Sequence, residues 1–425
     1  MTKRIAIIGT GISGLTCAHL LADKHEVSVF EANDYIGGHT ATVDVEVGQR
    51  KYAIDTGFIV YNDWTYPNFI KLMKKLNVAT QPTEMSFSVK NKQRNFEYNG
   101  NNINSLFAQR RNILSPRFWF FIKEILRFNK VCKAIPVNET SVPNSQTLSD
   151  FLREHNFSEF FSHNYILPMC AAIWSTSVSD TGNFPLQFFL QFFNNHGLLN
   201  VTDRPQWHTI IGGSRSYIEP LTRNFADQIH LNSPVTLVQK TGDSFLLTVG
   251  MDENTRQESF DEVIFACHSD QALAMLAQPT NQQTEILGAL RYAPNEVVLH
   301  TDTSLLPKRK LAWASWNYLI NDALEDSSKP ASVTYNMNIL QNIQSDTTFC
   351  VTLNNKAAID ESKILRVFNY SHPQVDLASI AAQKKREQIC GVDGMHFAGA
   401  YWYNGFHEDG MRSALDVCKR FGATL

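Results

Sequence analysis

The chain has 425 residues, 43% hydrophobic and 19% charged, a globular composition long enough for one or two domains and unlike that of a disordered chain. Its net charge of −3 gives no electrostatic basis for binding nucleic acid. Its seven cysteines are scattered, odd in number and free of any CxxC pair, which predicts a reduced, cytoplasmic setting without structural disulfides or a metal site.

The first element is an apolar run of strand length, residues 4–8. It leads into Gly9-Thr10-Gly11-Ile12-Ser13-Gly14 and then into a helix from Leu15. This order of strand, glycine turn and helix gives a GxGxxG pattern its physical meaning. Gly9 allows the tight turn, Gly11 lets the backbone approach a pyrophosphate, and Gly14 lets helix and strand pack closely. The pyrophosphate would rest on the free N–H groups at the helix start. A second strand at 27–30 ends at Glu31, where a carboxylate can accept hydrogen bonds from a ribose diol. The short apolar run is already used by the turn and does not read as a signal peptide. No run approaches the ~18 apolar residues of a membrane span.

A second glycine pair follows in Gly37-Gly38-His39-Thr40. A dinucleotide longer than NAD, whose ribityl chain continues past the first turn, needs this further close approach. A strand is expected at 42–47, then Asp55-Thr56-Gly57-Phe58, then a helix over 68–76 with Phe69, Leu72, Met73 and Leu76 on one face. Residues 85–98 read as a hairpin. Residues 105–200 read as mostly helical and very aromatic, with Pro116 opening one helix and a surface break at 143–146. Gly212-Gly213-Ser214 leads into a helix carrying Tyr217 and Leu221, and a β-meander covers 229–260. A buried run at 262–267 follows. Strands at 297–301, 311–319, 332–338 and 349–353 have the spacing of an antiparallel sheet. A polar helix at 378–388 precedes Phe397-Ala398-Gly399, and Gly410 is expected to open the last helix, with Met411, Ala414 and Cys418 on its buried face. The α/β pieces at the start, middle and end imply one discontinuous dinucleotide domain (1–78, 205–272 and 378–425). A substrate domain is inserted twice, mostly helical at 79–204 and an antiparallel sheet at 273–377.

These motifs together resemble the flavin-containing amine oxidase superfamily, which includes protoporphyrinogen oxidase and phytoene desaturase, and most closely a bacterial amine-oxidase-like branch. The resemblance implies an α/β fold with a Rossmann-type FAD-binding domain, its β-meander and an inserted α+β substrate domain, as in amine oxidases and phytoene desaturase. It implies FAD as cofactor. By the resemblance, Gly9, Gly11, Ile12, Ser13 and Gly14 meet the pyrophosphate, and Glu31 and Ala32 lie at the AMP ribose. Gly38, His39 and Thr40 follow the diphosphate and ribityl chain, and Gly57 and Phe58 approach the isoalloxazine. Val235 holds the adenine edge, and Gly399, Gly410, Met411 and Ala414 sit near the ribityl phosphate and flavin. Two departures stand out. His39 replaces the family's usual Arg, leaving Arg215 or Arg412 as possible substitutes. The strand from Glu296 lacks the Lys that many amine oxidases place near the flavin.

Several residues carry two readings. His300 with Asp302 is a candidate proton acceptor with its orienting carboxylate, or, more commonly, a strand-end His beside a solvated acid. Tyr401, Trp402 and Tyr403 lie between Gly399 and Gly410, where the resemblance puts the flavin. Tyr401 and Trp402 are catalytic candidates, and Tyr403, Trp174, Trp313 and Trp316 are candidates for pocket walls, with ordinary packing as the alternative. Cys170 has no basic neighbour in sequence and reads as packing. A basic, aromatic stretch from Arg110 to Lys130 reads as helical core or as a peripheral contact with the inner face of a membrane.

The resemblance implies an FAD-dependent oxidoreductase moving a hydride from substrate to flavin. The charge-poor aromatic insert argues for an apolar small molecule or lipid, with desaturation of a fatty-acyl chain as the leading expectation. An amine oxidase producing peroxide, a redox-neutral double-bond isomerase and a non-catalytic FAD-binding scaffold stay open, as does the oligomeric state.

Overall fold

Ile5, Ala6 and Ile7 are wholly buried because their strand, Arg4–Ile8, is the middle of a parallel sheet covered on both faces. In this computed structural model, which describes residues 2–136, 146–320 and 332–425, the sheet has five strands. Their order is Ile229–His230, Glu26–Phe30, Arg4–Ile8, Glu262–Phe265 and Met395–Phe397, and all neighbours run parallel. Ile7 pairs with Val29 on one side and Ile264 on the other, and Phe265 pairs with Phe397. The first and last parts of the chain therefore share one sheet. Helix Ile12–Leu21 packs against the final helix, His407–Arg420, where Ser13 Oγ donates to the Gly410 carbonyl at 2.8 Å. That final helix starts at His407, three residues before the expected Gly410. A Cβ at Gly410 would lie 2.9 Å from Ile12, so this glycine serves the helix–helix approach and not the helix start. The meander expected over 229–260 is present only from Val235, as the three-stranded sheet Val235–Thr241, Ser244–Val249 and Arg256–Phe260, because Ile229–His230 pairs with Glu26–Phe30 in the parallel sheet instead.

The second layer is a seven-stranded sheet. Its order is Ile364–Pro373, Tyr292–His300, Cys350–Leu353, Val333–Asn336, Trp316–Ile320, Phe87–Asn91 and Phe96–Asn99. It is antiparallel except where Trp316–Ile320 and Phe87–Asn91 run parallel. The expected strand 311–319 is cut to its second half. Residues Lys310–Ala312 form a 3-10 turn, and the Trp313 indole donates to the Pro307 carbonyl at 2.8 Å. The expected strand 332–338 stops at Asn336, whose side chain caps a short helix, Met337–Leu340. The edge strand Ile364–Pro373 was not expected.

The aromatic segment is mainly core. Phe121, Phe128, Phe161, Phe189 and Phe193 are fully buried between the helices Pro116–Ala134, Leu148–Glu154, Leu167–Trp174 and Leu186–Asn195. The expected break at 143–146 falls largely outside the described residues. The helices Ser269–Met275 and Asn281–Ala289 place Met275, Ile286 and Leu287 in the dinucleotide core, so the crossover lies near Leu290 and not at 272. Conversely, Val45 and Ile54 of the hairpin Thr42–Val47 and Arg50–Asp55 pack into the second core.

Candidate functional site

Gly9 has φ +108°, and its N–H donates to the Phe30 carbonyl at 2.8 Å. A Cβ there would lie 2.6 Å from the Ala266 carbonyl, and one at Gly14 would lie 2.0 Å from the Gly9 carbonyl. Both glycines are demanded by backbone packing. Gly11 differs, because a Cβ there would meet nothing within 4 Å. Gly11 is the N-cap of helix Ile12–Leu21 and no side chain caps it, so the first-turn N–H donors face open room. That arrangement fits a diphosphate.

Glu31 holds the turn together. Its Oε2 accepts from Thr10 N at 3.0 Å and Thr10 Oγ1 at 2.5 Å, and its Oε1 from Asn33 N at 3.0 Å and Nδ2 at 2.8 Å. Four donors occupy the four acceptor sites of a carboxylate, so a ribose diol would have to displace Thr10 Oγ1 or Asn33 Nδ2 to be bound by it. Ser233 N donates to the Glu31 carbonyl at 2.8 Å, which anchors the meander and Val235 at the same end. Ala32 lies exposed beside it.

The second glycine pair lies on the first turn. Gly37 N donates to Thr10 Oγ1 at 3.2 Å, and a Cβ on Gly38 would lie 3.2 Å from Gly11 Cα. Phe58 N donates to the His39 carbonyl at 2.7 Å, and a Cβ on Gly57 would strike that same carbonyl. Residues 37–40 and 56–58 thus form one wall. His407 stacks on Phe58 with centroids 3.8 Å apart and planes 8° apart. Its Nε2 is 2.9 Å from the Tyr217 hydroxyl, which is 2.5 Å from Thr40 Oγ1. Burial pulls His407 down to about 3, so its ring is neutral and suited to accept from Tyr217.

A cluster of rings packs against this wall, with the Tyr370 hydroxyl 3.0 Å from Thr56 Oγ1. His39 lies 5.2 Å from Tyr370, 5.6 Å from His372 and 6.5 Å from His268 by centroid. His268 stacks on Tyr292 at 4.0 Å, and Tyr292 meets Tyr401 edge-on at 6.4 Å. Burial, with neighbouring histidines adding to it, takes His39 down to about 3 and His372 to about 4. His39 Nε2 and the Tyr401 hydroxyl are buried without a protein partner. Among the described residues no group of His, Cys, Asp or Glu is spaced to hold a metal ion.

The buried carboxylates in this region are taken up by the chain's own donors. Asp55 Oδ1 accepts from Thr42 Oγ1, Ser214 N and Ser214 Oγ, and its Oδ2 from Gln341 Nε2. Burial raises it to about 6. Glu408 accepts from Asn68 N, Asn68 Nδ2 and Phe69 N. Asp409 accepts from Phe406 N, and burial raises it to about 7.

The structure disperses several expected site residues. His300 is wholly buried at the far end of its strand from Tyr292, about 26 Å away for eight residues of strand rise. Its Nε2 is 2.7 Å from Thr352 Oγ1, and Asp302 N donates to its Nδ1. Asp302 accepts from the backbone N–H groups of Ser304 and Asp360. This pair is therefore a sheet-end fastening. Trp313 belongs to the loop turn described above, and Trp316 packs on Tyr335 four strands in from the Ile364–Pro373 edge. The Trp402 indole donates into the core, to the Phe397 carbonyl, and Arg386 sits on its ring. The Tyr403 hydroxyl donates to Asp416 at 2.6 Å and its ring carries Arg412, facing a separate surface cavity of about 520 Å³. Arg412 is thus directed elsewhere, and Arg215 is exposed and paired with Asp44, so neither stands in for Arg at position 39. Met411 and Ala414 are buried toward helix Ile12–Leu21. Trp174 is linked to the start of the final helix through rings. It contacts Phe192 at 4.7 Å, and Phe192 stacks on Phe406, the residue before the final helix, at 5.3 Å. Cys170 is wholly buried, with burial pushing its thiol up, as a packing residue.

His268, Tyr292, Tyr370, His372 and His407 are the residues that sequence reasoning missed. The available signal was the alternation of Phe368, Tyr370 and His372, which puts three rings on one face of a strand.

A family profile described as flavin containing amine oxidoreductase matches residues 12–338. Amine oxidase [flavin-containing] A of Equus caballus is 22% identical over 342 residues, which is 78% of this chain and 61% of that protein. A 15-cis-phytoene desaturase of Synechococcus elongatus is 40% identical over 76 residues, 18% of this chain and 15% of its own length. The chain therefore spans less than two thirds of these relatives. A solved structure described as a CLA-producing fatty acid isomerase from P. acnes has a TM-score of 0.68 at 14% identity, covering 99% of this chain and 98% of that one.

Proposed function

Because this chain belongs to the flavin-containing amine oxidoreductase family, we propose that it is an FAD-dependent oxidoreductase acting on an apolar, lipid-like chain. Bound FAD supplies the two-electron acceptor. Gly11 and the N–H groups of residues 12–14 are suited to hold the diphosphate, and Glu31 the ribose. The partnerless His39 Nε2 is a hydrogen-bonding group available to the same ligand. Phe58, His407 and the rings of Tyr292, Tyr370 and His372 keep water out and fix orientation.

One observation carries the choice of an apolar substrate. Asp55, Glu408 and Asp409 are tied to the chain's own donors, while His39, His372 and His407 are held neutral. The three buried carboxylates beside His39 and His407 are thus not free to pair with an ammonium ion, Asp270 near His268 is exposed at the surface, and the rings of Phe406, Phe192 and Trp174 pack one on the next from the start of the final helix.

The test mixes FAD-loaded protein under argon with fatty-acyl chains and, separately, with mono- and diamines. Acyl chains are expected to bleach the oxidised flavin band and gain a double bond by mass spectrometry. Bleaching by amines, with peroxide released in air, overturns the reading. The fold shared with the P. acnes isomerase supports a second reading, a double-bond shift with no net acceptor. It would show as anaerobic turnover beyond one equivalent of flavin.

A further inference from the structure

The turn Arg110–Leu114 and helix Pro116–Ala134 bury Phe118, Phe121 and Phe128 and present other large apolar side chains outward. Leu114 is 87% exposed, Phe120 56%, Trp119 51% and Leu126 50%. Trp119, Lys123, Leu126 and Lys130 follow the spacing of one helix face. The Trp119 indole donates to the Ile113 carbonyl at 2.9 Å, which fastens the turn to the helix and pre-forms the patch.

Charge identifies what covers it. Residues 103–134 carry seven Lys and Arg against one acidic residue, Glu124, in a chain whose net charge is −3. Glu124 is buried, where it accepts from Ser158 N and Oγ. Among the described residues its ion pair with Arg127 is the one carboxylate contact of this basic set. Arg110 and Arg111 reach backbone carbonyls, and Arg117 lies over the Phe160 ring at 4.2 Å, so their positive charge is uncompensated. A second copy of this chain would bring the same positive field against itself. Among the described residues no helix is long and apolar enough to cross a membrane.

We propose that this face docks on an anionic lipid bilayer, with the helix lying in the interface plane. Leu114, Trp119 and Phe120 enter the acyl boundary, and Arg110, Arg111, Lys123 and Lys130 meet lipid phosphates. The assignment does not depend on the substrate, because docking is read without turnover.

The test is sedimentation of the full FAD-loaded chain with phosphatidylcholine vesicles containing or lacking phosphatidylglycerol. Binding is expected with phosphatidylglycerol only, and salt releases it. Lys123→Glu with Lys130→Glu is expected to lose about 25-fold or more in affinity, at about fivefold per basic residue. Leu114→Glu, at the most exposed position, and Trp119→Glu with Phe120→Glu are expected to lose about tenfold or more. Unchanged circular dichroism and flavin content show that each variant folds. Undiminished binding by these folded variants, equal binding to neutral vesicles, or a dimer that Leu114→Glu dissolves would each overturn the proposal.

Discussion

A methyl group separates the two jobs of the glycines in the first turn. At Gly11 the backbone, φ −65° and ψ 176°, suits alanine, and the added Cβ enters open room. Gly11→Ala is therefore expected to fold as before, with the melting temperature of the FAD-free protein moved by no more than about a degree. The same methyl occupies the space beside the uncapped N–H donors, so FAD affinity should fall at least about tenfold. Gly14→Ala puts its Cβ 2.0 Å from the Gly9 carbonyl, an overlap that backbone must move to relieve. It should cost about 3 kcal/mol and lose stability and FAD together. Thermal melts of the FAD-free proteins beside flavin-fluorescence titrations separate the two effects. Normal FAD binding by Gly11→Ala would refute the diphosphate assignment.

At the scale of elements, Glu408 couples the final helix to helix Pro67–Lys75 by accepting the N–H groups of Asn68 and Phe69. Glu408→Ala leaves these first-turn donors unsatisfied, and urea unfolding should report a loss of about 1–2 kcal/mol. An unchanged urea midpoint would mean that water replaces the carboxylate. Such long-range caps have no sequence signature, whereas the strand–glycine–helix unit does, because every part of it is local. The same contrast explains His300. Alternation along Tyr292–His300 gives the face of each side chain, but which end of the strand meets the His39 cluster depends on the partner strand Ile364–Pro373. That edge strand is half-exposed, and its alternation is confined to Phe368, Tyr370 and His372, since Leu365, Arg366 and Val367 before them break the period. The successive aromatics at 401–403 likewise point different ways, since the 3-10 turn Ala400–Trp402 separates Tyr401 from Trp402 by about 120° and the chain leaves the turn at Tyr403. Packing choices of this kind are made by tertiary contact and are not written in spacing.

For the whole molecule, buried titratable rings set how stability depends on pH. His39, His196, His300, His372 and His407 are held at about 3 to 4 by burial, against an ordinary 6.5. Between those values the unfolded chain binds protons that the folded chain refuses, so each ring's contribution is lost as pH falls from about 6.5 toward 4. Asp55 and Asp409 act oppositely. Raised to about 6 and 7, they favour the folded chain at low pH and lose that contribution as pH rises from about 4. These five rings, joined by His19, His25 and His268, which burial also lowers, outnumber Asp55, Asp409, Glu408 and His396, which are raised, and each group contributes at most about 1.4 kcal/mol per pH unit. The FAD-free protein should therefore melt at a lower temperature at about pH 5 than at about pH 7. Replacing His372 by Phe removes one proton-binding ring from the balance, and the drop between those two pH values should shrink. A melting temperature that is flat or higher at the acid end would mean that these buried rings, His39, His372 and His407 among them, are hydrated and charged. The neutral, water-excluding wall on which the apolar substrate rests would then fail with them.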